Sequence, residues 1–270
     1  MKKFTRRFLL ILVLTTLAEL WCQRQLQRED WIVSSDRIPA AFDGYRVCLL
    51  TDLHGRSMET ELLQAVRDSA PDLIAISGDI LDRYRPDTDL TSLLTALTQI
   101  APTYYVTGNH EWDLPHPEQL ISNIRNCGVT VLRNSWLELK KDGERIVLAG
   151  VEDPNAYADQ MQPDELVRQL RTVLPDDPYV MMLCHRNNTL DLWADLSVDL
   201  VLAGHGHGGV VRLPFVGGLL GVDRRFFPKD CEGLLSQGRT TLAVSRGLGG
   251  VRLWNRSHLP TVVLQHVNNS

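Results

Sequence analysis

The sequence predicts an α/β protein in which two mixed β-sheets face each other and helices cover both outer faces, a four-layer αββα sandwich. In the first half, apolar runs typical of buried strands alternate with helical patterns. In the second half, a hairpin and several short strand patterns follow one another with no Pro/Gly/Ser-rich linker between the halves. Alternating strands and helices favour parallel strands, and the continuous pattern favours one domain at residues 29–270.

In the first half, the strand-like runs end in polar residues. These runs are 45–55, 72–82, 103–112 and 128–134. Apolar residues recur at helical spacing between them, at 62–70, 90–100 and 117–127. We interpret residues 31–44, which lie between Asp30 and the first run, as a connecting segment.

In the second half, strand patterns at 136–140 and 145–150 flank the turn Lys141-Asp142-Gly143-Glu144, which is typical of a β-hairpin. Helices are predicted near 164–173 and 189–196, and further strands near 179–184, 198–203, 240–244 and 261–265. The strand at 198–203 leads directly into the unusual stretch "GHGHGG".

The first 28 residues differ from the rest in charge. They carry six basic side chains and one acidic one, so residues 29–270 have a net charge of −10 within the total of −5. A basic start before "LLILVLTTLA" is typical of a signal or anchor, and Arg6-Arg7 before Phe8 resembles a twin-arginine signal. We expect residues 1–28 to associate with a membrane, with the following domain extracytoplasmic. An amphipathic or buried helix is the alternative, and cleavage is left open.

Charge and cysteine usage exclude some classes of protein. An acidic domain argues against a broad nucleic-acid interface, so no nucleic-acid partner is expected. The five cysteines are scattered without a C-x-x-C pair, which argues against a disulfide framework or a structural zinc site.

Polar side chains with metal-binding atoms gather where the predicted strands end. They are Asp52, His54, Asp79, Asn109, His185, His205 and His207. These donors are too many for one four-coordinate zinc, whereas mixed oxygen and nitrogen ligands suit two divalent ions about 3.5–4 Å apart. The carboxyl ends of parallel strands meet at one sheet edge, so a metal site is predicted there. We expect Gly55 and the glycines around the two histidines of "GHGHGG" to bend the chain towards the metals.

In this order, the motifs D-x-H, G-D-x-x-D, G-N-H-E, a separate His and G-H-x-H resemble those of the calcineurin-like metallophosphoesterase superfamily. The resemblance implies two divalent ions, Mn, Fe or Zn, and hydrolysis of a phosphoester by a metal-bridging hydroxide. It assigns one ion to Asp52, His54, Asp79 and His207, and the other to Asp79, Asn109, His185 and His205.

The resemblance also implies roles for residues around the metals. His110 is expected to act as general acid or charge stabiliser at the leaving oxygen, and Asp82 to orient it. Arg83 resembles a phosphate-binding arginine. The alternatives are that Asp82 caps a turn, that Glu111 is a structural or solvated acid, and that Arg186 is an ordinary surface cation.

Residues 208–233 are unusually apolar for a glycine-rich segment, and they form either core strands or an apolar rim beside the metals. With the N-terminus, they resemble the bacterial membrane-associated branch of the superfamily, some members of which cleave the pyrophosphate of nucleotide-linked lipids. The implied substrate is a phosphoester or pyrophosphate of a membrane lipid or nucleotide-lipid. A soluble nucleotide phosphodiesterase or nuclease and a non-catalytic metal-binding module are the alternatives, and the oligomeric state is left open.

Overall fold

The computed structural model describes residues 7, 9, 13, 15–17, 19–22, 24–157, 160–213 and 215–268. The strands are β1 (Leu26–Ser35), β2 (Arg46–Leu50), β3 (Leu73–Ser77), β4 (Thr103–Val106), β5 (Thr130–Val131), β6 (Ser135–Lys141), β7 (Glu144–Gly150), β8 (Val180–Leu183), β9 (Leu200–Ala203), β10 (Val211–Leu213), β11 (Gly217–Leu220), β12 (Gly233–Gln237), β13 (Thr240–Val244) and β14 (Ser257–His266). The helices that follow β1 are α1 (Glu59–Asp68), α2 (Thr91–Thr98), α3 (Asn109–Trp112), α4 (Pro117–Asn126), α5 (Pro163–Val173) and α6 (Leu190–Asp195), with a 3₁₀ turn at Ala40–Phe42.

The strands form two six-stranded mixed sheets and a separate two-stranded ribbon. The first sheet has the order β1-β14-β2-β3-β4-β5, the second has the order β12-β13-β9-β8-β7-β6, and β10 pairs with β11. In the first sheet only the β14–β2 pair is antiparallel. In the second sheet the central pairs are parallel and the two outer pairs are antiparallel, including the predicted hairpin β6–β7.

Three apolar clusters define the layers. Along β2, Val47 and Leu49 pack into the cluster between the sheets, whereas Cys48 and Leu50 face the helices on the outside. This alternation follows from the two-residue period of a strand, and it explains why a doubly buried strand is a continuous apolar run. A third cluster joins the second sheet to α5 and α6. The predicted four-layer αββα architecture is confirmed.

The interpretation of residues 31–44 as a connecting segment is wrong for residues 31–35, which belong to a strand. The ten-residue strand β1 begins at Leu26 and runs parallel to β14, with Trp31 opposite Val262. Its first half is polar, and its pairing partner lies at the other end of the chain, so no local pattern reveals it. The domain boundary between residues 28 and 29 remains a prediction.

The described residues between 7 and 24 are helical. Across the described part of the chain, no helix is both long enough and apolar enough to span a bilayer. Arg6 and Phe8 of the proposed twin-arginine signal lie outside the described residues. The signal-anchor segment and the extracytoplasmic location therefore stay predictions.

Candidate metal centre

Five loops bring all seven predicted metal ligands to one edge of the sandwich. The loops follow β2, β3, β4, β8 and β9 at the carboxyl ends of these strands. Five of the ligand residues have a left-handed backbone, with φ between 50° and 64°: Asp52, His54, Asp79, His205 and His207. This conformation is uncommon and unfavourable for residues with a side chain, and such strain concentrates at functional sites.

Within "GHGHGG", Gly208 and Gly209 have φ of 64° and 87° and fit the expected bend, whereas Gly204 and Gly206 do not. Gly204 and Gly206 are absent from the left-handed region, which His205 and His207 themselves occupy. Gly204 is required by space, since a Cβ there would lie 1.9 Å from the Thr51 hydroxyl oxygen. The absence of a side chain at Gly204 lets its backbone pack closely against the end of β2, which is a second use of glycine besides conformational freedom.

The first group of ligand atoms surrounds Oδ1 of Asp52. This oxygen lies 3.5 Å from Nε2 of His207 and 3.9 Å from Nε2 of His54. The same His54 nitrogen lies 3.9 Å from Oδ2 of Asp79. These are the four residues that the resemblance assigns to one ion.

The second group shares Oδ2 of Asp79 with the first. Nε2 of His185 lies 3.3 Å from this oxygen, 3.2 Å from Oδ1 of Asn109 and 3.1 Å from Nδ1 of His205. Nδ1 of His185 donates to the backbone carbonyl of Ser77 at 2.8 Å. A neutral His185 ring then carries its proton on Nδ1, and Nε2 keeps a lone pair for a metal.

The hydrogen bonding in this centre fits resident metal ions. Oδ1 of Asp52, both ring nitrogens of His54 and Nδ1 of His207 are buried, with no hydrogen-bond partner among the described residues. The other oxygen of Asp52 accepts bonds from Thr51 and from the backbone of His205. Buried polar atoms are normally paired, so the unpaired Oδ1 of Asp52 and Nε2 of His54, which lie 3.9 Å apart in the first group, suit a divalent cation.

The charges of the buried groups are strongly coupled. Burial raises the pKa of Asp52, but His207 and His185 outweigh it, and the pKa lies below its ordinary value. For Asp79 burial is likewise outweighed, chiefly by His185, and the pKa is lowered. The negative charges of Asp79 and Asp52 outweigh the effect of burial on His185 and raise its pKa to about 10. Burial lowers the pKa of His205 to about 3 and that of His207 to about 4.

His110 borders the first group of ligands. His54, Asp79 and His110 each offer an atom within 4.8 Å of the others. Nδ1 of His110 accepts a hydrogen bond from the backbone N–H of Arg83 at 3.2 Å, and Nε2 lies 4.0 Å from Oδ2 of Asp79. A neutral ring is therefore protonated on Nε2, the nitrogen that faces the ligand groups. Burial lowers the pKa of His110.

The expected direct contact between Asp82 and His110 is longer than a hydrogen bond, at 3.6 Å. Oδ1 of Asp82 instead accepts the backbone N–H of Tyr84 at 2.9 Å, which is the turn-capping alternative. The turn that it caps presents the Arg83 N–H to His110, so Asp82 acts on His110 through the backbone.

Comparison with known proteins decides the class to which this site belongs. The family model of the calcineurin-like phosphoesterases matches residues 45–209, which is more than half of the chain. The chain belongs to the calcineurin-like phosphoesterase family. It is a metal-dependent hydrolase of ester bonds, as the sequence predicts.

Similar proteins include bacterial members with a modest level of identity. The uncharacterized metallophosphoesterase YkuE of Bacillus subtilis is 28% identical over 237 residues, which cover 84% of this chain and 80% of YkuE. The phosphodiesterase YaeI of Escherichia coli is 27% identical over 223 residues, covering 77% of this chain and 78% of YaeI. The solved structure of the sulfate thiohydrolase SoxB of Thermus thermophilus has a TM-score of 0.52 at 11% identity. That match covers 83% of this chain and 57% of SoxB, and it shows a shared fold.

Arg186 of this phosphoesterase differs from an ordinary surface cation. Its guanidinium makes two bonds to the buried carboxylate of Asp153, at 2.6 and 2.9 Å, and Nη1 lies 3.1 Å from Nε2 of His205. Arg83, in contrast, pairs with Asp113 at a partly exposed position. Asp153 belongs to no motif and lies far along the chain from Arg186, so the sequence carried no signal for this pair.

Glu111 has a structural role and is not solvated, which were the two alternatives considered for it. It is buried and accepts backbone N–H bonds from Asp79 at 2.9 Å, Leu81 at 3.2 Å and Gly108 at 2.7 Å. Burial, with the nearby charge of Asp79, raises its pKa to about 7. Glu111 therefore holds the Asp79 loop against the Asn109 loop.

A glycine-rich loop that no sequence motif identified covers the predicted metal ligands. This loop follows β13 and includes Gly247 and Gly250. A Cβ on Gly247 would lie 2.7 Å from Cβ of Asp52, and one on Gly250 would lie 2.7 Å from Cε1 of His207. Asn255, beyond the loop, donates to the carbonyl of His207. The available signal was the "GLGG" cluster directly after a strand, as in "GHGHGG".

Proposed function

We propose that this phosphoesterase hydrolyses a phosphoester or pyrophosphate bond of a membrane lipid or nucleotide-linked lipid, using two divalent ions held by the seven ligands. The observation that carries the proposal is the pair of ligand groups that share Oδ2 of Asp79. Two such ions, when bound, supply an activated water-derived nucleophile and stabilise negative charge on the phosphoryl oxygens.

The protein holds the ligand atoms in place before any ion binds. Oδ1 of Asp79 accepts the backbone N–H of His110 at 2.9 Å, which leaves Oδ2 for both groups. Oδ2 of Asp52 accepts the backbone N–H of His205 at 2.9 Å, which leaves Oδ1 facing His54 and His207. Ligands that are fixed by second bonds lose little freedom on binding metal and keep the reacting atoms aligned.

His110 is positioned to handle the proton of the leaving group. Its Nδ1 is engaged by Arg83 N–H, so the proton of the neutral ring is on Nε2, on the side of Asp79. We assign Nε2–H of His110 as the general acid or charge stabiliser at the leaving oxygen, which would otherwise depart as a strongly basic alkoxide. A phosphate leaving group departs as a stable anion and needs this donor less. Asp82 supports this geometry through the turn that contains Arg83.

A cleft beside the metal centre supports a substrate with both charged and apolar parts. It has a volume of about 670 Å³, and its lining includes Arg186, His205, Val222 and Lys229. The cations suit a second phosphate or a polar headgroup next to the phosphorus that reacts, as in a pyrophosphate. The cleft and the apolar segment after β9 favour an amphiphilic phosphoester over a small soluble one.

The test combines metal analysis with a panel of substrates. Purified full-length protein is loaded with Mn, Fe or Zn, and the ion content and the hydrolysis rates are measured together. We expect about two ions per chain and hydrolysis of both an aryl phosphodiester and a lipid pyrophosphate in mixed micelles. Turnover of cyclic nucleotides or DNA with none of the lipid would refute the lipid substrate. One ion per active chain would refute the dinuclear centre.

A further inference from the structure

The segment after "GHGHGG" and the loop after β13 form one continuous surface, here called the platform (residues 211–213, 215–227 and 251–254). Arg212 N–H donates to the carbonyl of Leu253 at 3.0 Å, which joins the loop to β10. β10 pairs with β11, and Phe227 N–H donates to the carbonyl of Leu219 at 3.0 Å on the far side of β11. Backbone bonds therefore hold these loops together as one unit.

The platform carries large apolar side chains that face solvent. Phe215 is 109% exposed, Val251 is 81% exposed and Phe226 is 71% exposed, and Phe227 and Val216 are more than half exposed. Of the two alternatives for this segment, core strands are therefore wrong for these side chains. A contiguous set of exposed apolar side chains is unfavourable in water and marks a contact surface.

The platform is fixed to the metal centre. Nδ2 of Asn255 donates to the carbonyls of His207 and Gly209, at 2.5 and 2.9 Å. Gly208 N–H donates to the carbonyl of Cys231 at 3.0 Å. A surface that binds the platform therefore lies at a fixed distance from the two groups of predicted metal ligands.

The N-terminal helical segment meets the edge of the platform. Oε2 of Glu19 accepts the Trp254 N–H at 2.5 Å, and the Arg256 guanidinium lies 4.4 Å from the ring centre of Trp21. About half of each of several apolar side chains is exposed along this segment, at roughly four-residue spacing: Leu9, Val13, Leu17, Leu20 and Trp21. That spacing places them on one side of a helix.

We propose that the platform is a membrane-contact surface that seats the metal centre on the polar layer of a bilayer containing anionic lipid. Phe215, Val216 and Val251 lie in turns and bends, whereas Phe226 and Phe227 border the cleft beside the metal centre. Exposed Arg224, Arg225 and Lys229 are interspersed with them, together with the acidic Asp223 and Asp230. Aromatic side chains with flanking cations suit the interface between headgroups and acyl chains. Glu19 and Trp21 of the N-terminal segment reach the same edge. The inference rests on the proposed function only for its lipid substrate.

The first test measures binding of the full chain to vesicles of phosphatidylcholine with phosphatidylglycerol. Phe215→Ser with Val251→Ser should lower the apparent affinity by about tenfold or more, because two apolar side chains no longer enter the interface. Ile32→Ser with Val173→Ser is the matched control, since both residues are more than half exposed and lie on β1 and α5. Equal binding by the two double variants would overturn the proposal. Hydrolysis of a soluble aryl phosphodiester should be unchanged in both.

The second test locates the contact by hydrogen–deuterium exchange of the full chain. Vesicles should slow backbone exchange in residues 211–227 and 251–254, while the β6–β7 turn stays unchanged. Vesicle-bound protein with unaltered exchange in the platform would overturn the proposal. Slower exchange on raising the protein concentration without vesicles would overturn it in favour of a second copy of the chain. Vesicle binding with no hydrolysis of any phosphoester would refute the proposed function and leave this inference standing.

Discussion

The metal centre and the platform are neighbours, since His205 and His207 follow β9 and the platform begins a few residues later. They depart from the usual distribution of polar and apolar groups in opposite ways. In the metal centre, carboxylates and imidazoles are buried, and several of their atoms have no hydrogen-bond partner among the described residues. On the platform, phenylalanine and valine side chains face solvent. One region hides polar atoms and the other exposes apolar ones.

Both features are unfavourable in the isolated chain, and each is relieved by a different ligand. Buried polar atoms without partners destabilise a fold unless something pairs with them, and divalent cations would do so here. Exposed apolar side chains are unfavourable unless something covers them, and a bilayer would do so here. In each region, the chemistry of the unpaired or exposed groups indicates the kind of ligand that suits it.

The sharpest test of the metal centre is Asp79→Asn. The amide keeps the acceptor for His110 N–H but removes the charge shared by both ligand groups. We expect hydrolysis of an aryl phosphodiester to fall by about a thousandfold or more, because several kcal/mol of charge stabilisation are lost. Circular dichroism should show a retained fold. A near-normal rate with restored metal content would contradict the shared-carboxylate assignment.

The next largest effect is expected for His110→Gln, which replaces the titratable imidazole by an amide that cannot act as a general acid and leaves every assigned metal ligand in place. The rate should fall roughly a hundredfold to ten-thousandfold for an alkyl leaving group, and less for an aryl group that departs without a proton. Asp82→Asn should cost only about tenfold, since Asp82 acts through the turn. Equal losses on the two leaving groups would remove His110 from the role of acid.

Alanine variants of two glycines distinguish the effect of a side chain that contacts the metal centre from the effect of left-handed backbone strain. Gly250 and Gly143 have φ of 79° and 84°, but a Cβ on Gly250 would meet His207, whereas one on Gly143 would meet nothing within 4 Å. Each change to alanine should lower the free energy of unfolding by about 1 kcal/mol from left-handed strain. Only Gly250→Ala should also weaken metal affinity, by about tenfold. Isothermal titration with Mn checks this, and equal affinity in both variants would contradict it.

The smallest effect concerns stability far from the ligand groups. Burial lowers the pKa of His258 to about 4, against the pull of Glu29, which it contacts at 3.2 Å; Arg246 adds to the lowering and Glu232 opposes it. As pH falls, His258 is protonated in the unfolded chain before it is protonated in the folded protein. Its contribution to the free energy of unfolding is therefore complete above pH 6.5 and is lost as pH falls towards 4, by up to about 3 kcal/mol. Glu29, whose pKa is lowered chiefly by its bond to His258, acts in the same direction.

His258→Gln should flatten this part of the pH dependence. Urea unfolding of the variant and the parent at equal metal content, between pH 7 and pH 4, measures the difference. Parallel curves for the two proteins would show that His258 contributes nothing to the acid sensitivity.

Much of the centre could be predicted because its geometry follows from strand order. Parallel strands place their carboxyl ends at one edge, so the polar residues after β2, β3 and β4 meet in the first sheet and those after β8 and β9 meet in the second. The packing of the two sheets brings both sets together. Roles that depend on an individual contact could not be predicted. The turn-capping bond of Asp82 and the pairing of Arg186 with Asp153 depend on side-chain positions that no spacing encodes.

The sequence by itself determined the α/β class, the types of the predicted ligand residues and the strand ends that carry them, since strand period and motif order are local properties of the chain. Only the tertiary structure decided that β1 pairs with β14, that the histidines themselves take the left-handed backbone, and that the apolar segment after β9 faces solvent. Those outcomes depend on contacts between residues distant in the chain, and such contacts override local preference.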